Sequence, residues 1–196
     1  MAIKDFPKEE LILSGSASCP GCVASSALRI TLKALGKKTI LVIPACCMSV
    51  IQGLYPKTCL NVPVLNIAFE AGASAASGIS AAMKRLGKDD INVVVWAGDG
   101  GTYDIGIQSL SGALERLTNF IYICYNNETY SNTGTQRSGA TPYGAWTTTT
   151  WTGKKEHRKD FLEIVRAHHI PYLAAASPSY PQDLFKKVQR AKSIKG

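Results

Sequence analysis

The 196-residue chain predicts an α/β fold, a doubly wound parallel sheet with helices on both faces. Three observations carry that expectation. Val93–Trp96 is a short apolar run rich in β-branched residues and closed by glycine, as a strand covered on both faces requires. Ile107 to Leu117 places apolar residues at helical spacing. Phe120–Cys124 is a second apolar run, and it empties into the polar pair Asn126-Asn127. Strand, glycine turn, helix and strand in that order form one half of a doubly wound sheet. Ligands of such sheets bind off the carboxyl ends of the strands.

The remaining elements follow in chain order. Residues 1–13 read as a polar lead-in and a short first helix, with Pro7, Glu9 and Glu10 placed as helix starts prefer. Ser14 to Cys22, SGSASCPGC, is a tight loop of small residues around Cys19-x-x-Cys22. Val23–Leu35 has a helical pattern stopped by Gly36. Thr39–Ile43 is a strand ending at Pro44-Ala45-Cys46-Cys47-Met48-Ser49. One CxxC therefore opens a helix and a second cysteine pair closes the next strand, so both can face one crevice. Asn61–Ala68 is extended or loop-like, and Phe69–Leu86 is a helix of small residues closed by Gly87. Gly134–Gly153 is low in charge and carries Trp146 and Trp151. It is too long for an idle connector and predicts an ordered loop over a site or an interface. Asp160–His168 is a helix, Tyr172–Ala176 a strand, and Pro181–Ala191 a helix with Ser177 or Ser179 as its cap. With no internal repeat or interdomain linker, one domain over residues 1–196 is expected.

Composition narrows the function classes. Lys and Arg number 22 against 14 Asp and Glu, a net charge of +8, with basic clusters at Lys154–Lys159 and Lys186–Lys195. These are a solvated surface, or a steering field for an acidic partner. No basic–aromatic array supports nucleic-acid binding. No apolar run approaches the ~18 residues of a membrane span, and the N-terminus lacks an apolar signal segment, so a cytoplasmic protein is expected. Six cysteines in that setting favour metal ligation or buried thiols over disulfides.

Asp99, in Gly98-Asp99-Gly100-Gly101, and Asn127 stand at the carboxyl ends of strands expected to be neighbours. A carboxylate, an amide oxygen and a main-chain carbonyl make a hard oxygen site suited to Mg²⁺, which takes further oxygens from a phosphate. Glycines let main-chain N–H groups approach that phosphate, and the following helix points its positive end at it. The competing reading of GDG is a tight turn with a capping Asp. For the cysteines three readings stand open: a zinc site, although His157, His168 and His169 lie far off in sequence; a redox dithiol; and a [4Fe–4S] cubane, which takes four thiolates.

Gly98-Asp99-Gly100, then 26 residues, then Asn127, matches the spacing of the thiamine diphosphate motif. With Tyr130-Ser131-Asn132-Thr133-Gly134-Thr135-Gln136 and Thr141-Pro142-Tyr143-Gly144-Ala145, the stretch resembles the β subunits of the 2-oxoacid:ferredoxin oxidoreductases, closest to the pyruvate and branched-chain types. The resemblance implies a thiamine-diphosphate-binding fold. It implies Mg²⁺ on the side chains of Asp99 and Asn127 and the carbonyl of Thr129. Gly98, Asp99, Gly100, Gly101, Asn127, Asn132, Thr133 and Cys47 would border the cofactor, with Asn132 at the catalytic position. It also favours the cubane, held by Cys19, Cys22 and Cys47, since the family places its third ligand about 25 residues after the CxxC, the interval from Cys22 to Cys47. Cys46 is then a buried neighbour, and Cys59 and Cys124 are core or subunit-contact thiols. The fourth ligand belongs to a later family segment that this chain is expected to lack. Glu70 is read as structural, because the family's activating glutamate comes from a partner. The implied reaction is oxidative decarboxylation of a 2-oxoacid, pyruvate favoured, with coenzyme A, giving acyl-CoA, CO₂ and reduced ferredoxin. The implied partners are an α subunit, ferredoxin-like γ subunits and ferredoxin itself. Alternatives are a branched-chain 2-oxoacid or oxalate oxidoreductase subunit, a non-redox thiamine diphosphate decarboxylase, and an iron–sulfur electron carrier.

Overall fold

A computed structural model describes residues 3–196. The main elements in order are α1 (Val23–Leu35), β1 (Thr39–Pro44), α2 (Cys47–Ile51), β2 (Val64–Ile67), α3 (Gly72–Arg85), β3 (Asn92–Gly98), a π-helix (Gly100–Asp104), α4 (Ile107–Glu115), β4 (Ile121–Tyr125), the short β5 (Thr129–Tyr130) and β6 (Gln136–Arg137), α5 (Phe161–Arg166) and α6 (Pro181–Ser193). Four strands form one parallel sheet in the order β2-β1-β3-β4. β5 and β6 form a separate antiparallel pair.

The pleat sorts the strand residues between two cores. Leu41, Ile43, Val94 and Trp96 pack against Leu28, Leu32 and Leu35 of α1 and Phe185 and Val188 of α6. Val42, Val93, Val95 and Ala97 face the opposite way, onto Ala76, Ile79 and Met83 of α3. Leu110 and Ala113 of α4 join Ala73 of α3 beside that layer. Helices thus cover both faces, as the sequence predicts. The small residues of α3 have a use: a Cβ on Gly72 would sit 3.2 Å from Val95 and 3.3 Å from Pro44, so the helix lies close on the sheet.

Some expectations need correction. No helix begins at Pro7; the described part of the lead-in has a 3₁₀ turn at Ile3–Asp5, while residues 1–2 lie outside the described residues. Tertiary contacts hold this segment extended instead. Phe6 stacks on Phe185 with ring centres 4.3 Å apart, Glu10 pairs with Arg29 and Lys33, and Ile12 bridges to Leu60. Tyr172–Ala176 is not a strand. Its main chain is engaged by α6, where Lys187 Nζ donates to the Ala175 carbonyl at 2.7 Å. Neither serine caps α6, because Ser177 Oγ accepts from the Ser179 N–H and the position before Pro181 is Tyr180. Phe69-Glu70 precede α3 in a turn closed by Ala71 N–H on the Ala68 carbonyl. Residues 44–49, expected from the resemblance as a cluster-binding loop like 14–22, instead enter a one-turn helix at Cys47.

Candidate functional site

The parallel register sets Gly98 of β3 beside Tyr125 of β4, so the residues that follow each strand emerge together at one edge of the sheet. Beyond Gly98 the chain enters the wide turn of a π-helix, with Asp99 at its start. Glycine makes that turn possible. A Cβ on Gly106 would lie 2.0 Å from the Gly101 carbonyl oxygen, and one on Gly100 would lie 1.8 Å from the Tyr130 ring. In front of the turn is a cavity of about 240 Å³. Gly98, Asp99, Gly100, Gly101, Asn127, Thr129, Asn132 and Thr133 all line it, together with Cys46 and Cys47.

Asp99 is only 1% exposed. Burial pushes its carboxyl above the ordinary range, against the pull of the Ser138 hydroxyl and of main-chain N–H groups that include Asn127's. Ser138 Oγ donates to Oδ2 of Asp99. A buried carboxylate facing a cavity is costly unless a cation joins it, so the residues fit a divalent metal. Asn127 holds a local turn, its Oδ1 accepting from the Thr129 N–H at 3.3 Å. Thr133 Oγ1 donates to Gln136 Oε1 and to the Tyr130 carbonyl, closing the same loop. The main-chain N–H of Asn132 reaches the Cys47 sulfur.

The cysteines are less gathered than the oxygens. Cys22 and Cys47 border one groove, whereas Cys19 is exposed at a turn that Cys22 N–H closes on the Cys19 carbonyl at 3.0 Å. All six are free thiols, and among the described residues no three of His, Cys, Asp or Glu are placed to hold a metal ion. The cubane's donor set is therefore not assembled within this structure. Cys59 is buried in the core, and burial pushes the Cys124 thiol up to about 12. The histidines do other work: His157 stacks on Tyr143, while His168 Nε2 meets Ser111 Oγ at 2.8 Å.

Residues 45–196 match the thiamine pyrophosphate enzyme, C-terminal TPP binding domain family. The ketoisovalerate oxidoreductase subunit VorB of Pyrococcus abyssi is 52% identical, over 97% of this chain and 65% of its own length. The pyruvate synthase subunit PorB of Methanothermobacter thermautotrophicus is 50% identical, over 97% of this chain and 68% of its own length. The chain belongs to the β-subunit family of the 2-oxoacid:ferredoxin oxidoreductases. It spans about two thirds of the length of these relatives, 65% and 68%. Among solved structures, the 2-oxoglutarate:ferredoxin oxidoreductase of Magnetococcus marinus shares the fold with a TM-score of 0.80 at 21% identity, covering all of this chain and 65% of that one. Benzoylformate decarboxylase of Polynucleobacter necessarius aligns at a TM-score of 0.58 and 15% identity, over 94% of this chain and 34% of that one.

In this family member several site residues escape sequence reasoning. Ser138 and Thr141 support Asp99 and the Glu128 carbonyl. Lys154, expected in a solvated basic cluster, is 2% exposed, and its Nζ donates to the carbonyls of Ser138 at 3.2 Å and Thr141 at 2.7 Å. Lys159 is paired with Asp104 rather than free. The run Ser138-Gly139-Ala140-Thr141 offered one signal, small polar residues directly after the motif loop. The lysine gave none. The Thr- and Gly-rich loop is ordered as expected, pinned by Thr147 Oγ1 to Thr150 Oγ1 at 2.8 Å, and it leaves Trp146 and Trp151 exposed.

Proposed function

We propose that this chain is the cofactor-binding subunit of a thiamine diphosphate enzyme that oxidatively decarboxylates a 2-oxoacid, pyruvate favoured, with coenzyme A, giving acyl-CoA, CO₂ and reduced ferredoxin. The observation that carries the reading is the buried Asp99 carboxylate, opening beside Asn127 and Thr129 onto the glycine-lined cavity. Asp99 and Asn127 would give side-chain oxygens, and Thr129 its carbonyl, to a Mg²⁺ that also takes diphosphate oxygens. Thiamine diphosphate supplies an electron sink at its thiazolium ring. The chain's own part is binding and orientation. Gly100 and Gly101 leave room for close approach, and Phe69, Tyr130 and Asn132 line the cavity, where the Asn132 side-chain amide would meet the reacting end of the cofactor.

We also propose that Cys19, Cys22 and Cys47 ligate an iron–sulfur cluster in the assembled enzyme. Support comes from the groove shared by Cys22 and Cys47 and from their interval in the sequence. An α subunit and ferredoxin-like subunits would complete the enzyme, with ferredoxin as acceptor, in a cytoplasm whose reductants keep the thiols free. No helix among the described residues is long and apolar enough to cross a membrane. A branched-chain 2-oxoacid is the second reading, favoured by the 52% identity to a ketoisovalerate oxidoreductase subunit.

The test is kcat/KM of the co-purified complex for pyruvate and for 2-oxoisovalerate, with ferredoxin reduction as readout. Preference for pyruvate is expected. Preference for 2-oxoisovalerate would move the enzyme to the branched-chain reading. Decarboxylation without ferredoxin reduction would replace the oxidative function by a non-redox one.

A further inference from the structure

Asp104 ends the π-helix, five residues after Asp99, and no oxygen site of the cavity needs it as a ligand. Its carboxylate nevertheless ties together the segments that make the cavity. Oδ2 accepts from Tyr130 Oη at 2.6 Å and from the Gly139 N–H at 2.8 Å. Oδ1 accepts from Lys159 Nζ at 2.7 Å, and the same ammonium donates to the Tyr103 carbonyl. Burial alone would raise this carboxyl, but those donations outweigh it and hold it below the ordinary carboxylate range.

Each tether leads to the metal site by a different route. Tyr130 directly follows Thr129, and its ring covers Gly100 so closely that a Cβ there would overlap it. Gly139 directly follows Ser138, whose hydroxyl holds Oδ2 of Asp99. The fit at Gly139 is tight as well, since a Cβ there would lie 2.5 Å from Asp104 Oδ1. One carboxylate thus sets the distance between the π-helix carrying Asp99 and the loop carrying Asn127 and Thr129.

We propose that Asp104 is a positioning residue for the divalent cation and the cofactor diphosphate, acting through Tyr130 and Gly139. This rests on the proposed function, because it assumes that Asp99, Asn127 and Thr129 share a metal. A carboxylate fixed by an ammonium, a phenol and a main-chain N–H is a rigid hub. Groups that only orient metal ligands typically change metal affinity roughly 10–100-fold when altered.

The experiment uses the complex purified with its partner subunits, stripped of metal and refilled with thiamine diphosphate and Mn²⁺. Free Mn²⁺ is read by electron paramagnetic resonance. Asp104→Asn is expected to weaken Mn²⁺ binding roughly 10–100-fold and to broaden the bound-Mn²⁺ signal. Circular dichroism of the cofactor-free variant should show the parent's fold, with the unfolding midpoint lowered by the lost Lys159 pair but well above the assay temperature. Tyr130→Phe, which removes only the phenol oxygen, should give a smaller loss in the same direction, and it decides the matter if Asp104→Asn fails to fold. Parent-like Mn²⁺ affinity in the folded variants overturns the proposal and leaves the functional reading standing. A parent complex that binds neither Mn²⁺ nor thiamine diphosphate overturns both.

Discussion

At the scale of single residues, Asp99 has the most at stake. Asp99 is buried, its carboxylate is held by Ser138, and the residue lines the cavity. Asp99→Ala should therefore abolish Mg²⁺-dependent thiamine diphosphate binding, a loss of about 100-fold or more, while the fold survives. Titration calorimetry on the purified complex, with circular dichroism as control, checks this; retained affinity would refute the assigned role. The thiols make a second residue-level case. Cys19→Ser, Cys22→Ser and Cys47→Ser should each lower the iron content of the complex, and Cys46→Ser should not. Cys46 lines the cavity and sits at the N-cap of α2, whereas Cys47 also reaches the groove shared with Cys22. Iron lost with Cys46→Ser but kept with Cys47→Ser would exchange the two assignments.

At the scale of elements, the π-helix depends on a backbone contact. The position 2.0 Å from the Gly101 oxygen that a Gly106 side chain would take cannot be cleared by a rotamer change. Gly106→Ala should cost about 2–3 kcal/mol in urea unfolding and weaken cofactor binding with it. The N-terminal segment offers a pH test. Hydrogen bonds from Arg29 and then Lys33 hold the Glu10 carboxyl down at about 2. A depressed carboxyl contributes stability that is present above its unfolded value of about 4.5 and lost as pH falls through about 2. Glu10→Gln should flatten the stability profile across that window. The change should be no more than ~1 kcal/mol, because the pair is solvent-screened.

The same elements show what the sequence could reveal. β1, β3, β4, α1 and α4 were legible because their apolar period and their glycine stops are local signals. So was the convergence of Asp99 and Asn127, because it follows from two parallel strands lying side by side. The supports were not. Ser138 lies 39 residues from Asp99, Tyr130 26 from Asp104 and Gly139 35 from Asp104, and nothing local marks any of these partners. Pro7 and the acids after it look like a helix start, yet ion pairs to α1 outweigh that preference. Tyr172–Ala176 has strand-like composition, but it is tied to α6, with Lys187 Nζ donating to the Ala175 carbonyl and Tyr172 Oη donating to the Lys187 carbonyl.

At the scale of the whole molecule, the proposed function makes the cavity one half of a catalytic site that a partner subunit completes. Among its lining residues none is a glutamate, and Glu70 is exposed, its carbonyl accepting from Ser109 Oγ at 2.7 Å. The isolated chain should show no turnover with any 2-oxoacid, even with Mg²⁺, thiamine diphosphate, coenzyme A and ferredoxin present. Turnover by the purified single chain would refute this. Trp151, 78% exposed, and Trp146, 60% exposed, should become protected in the complex, readable as a blue shift of tryptophan fluorescence on mixing with partner subunits.

β4 has consequences for handling the protein. Among the described residues it pairs in the sheet with β3 and no other strand, and the groove beside it, of about 850 Å³, is lined by Ile121, Ile123 and Leu173. A bare sheet edge of β-branched residues is a template on which other chains add as strands. Produced without companions, the polypeptide should clump through this margin during refolding, and light scattering would rise with concentration. Co-expression should suppress that scattering.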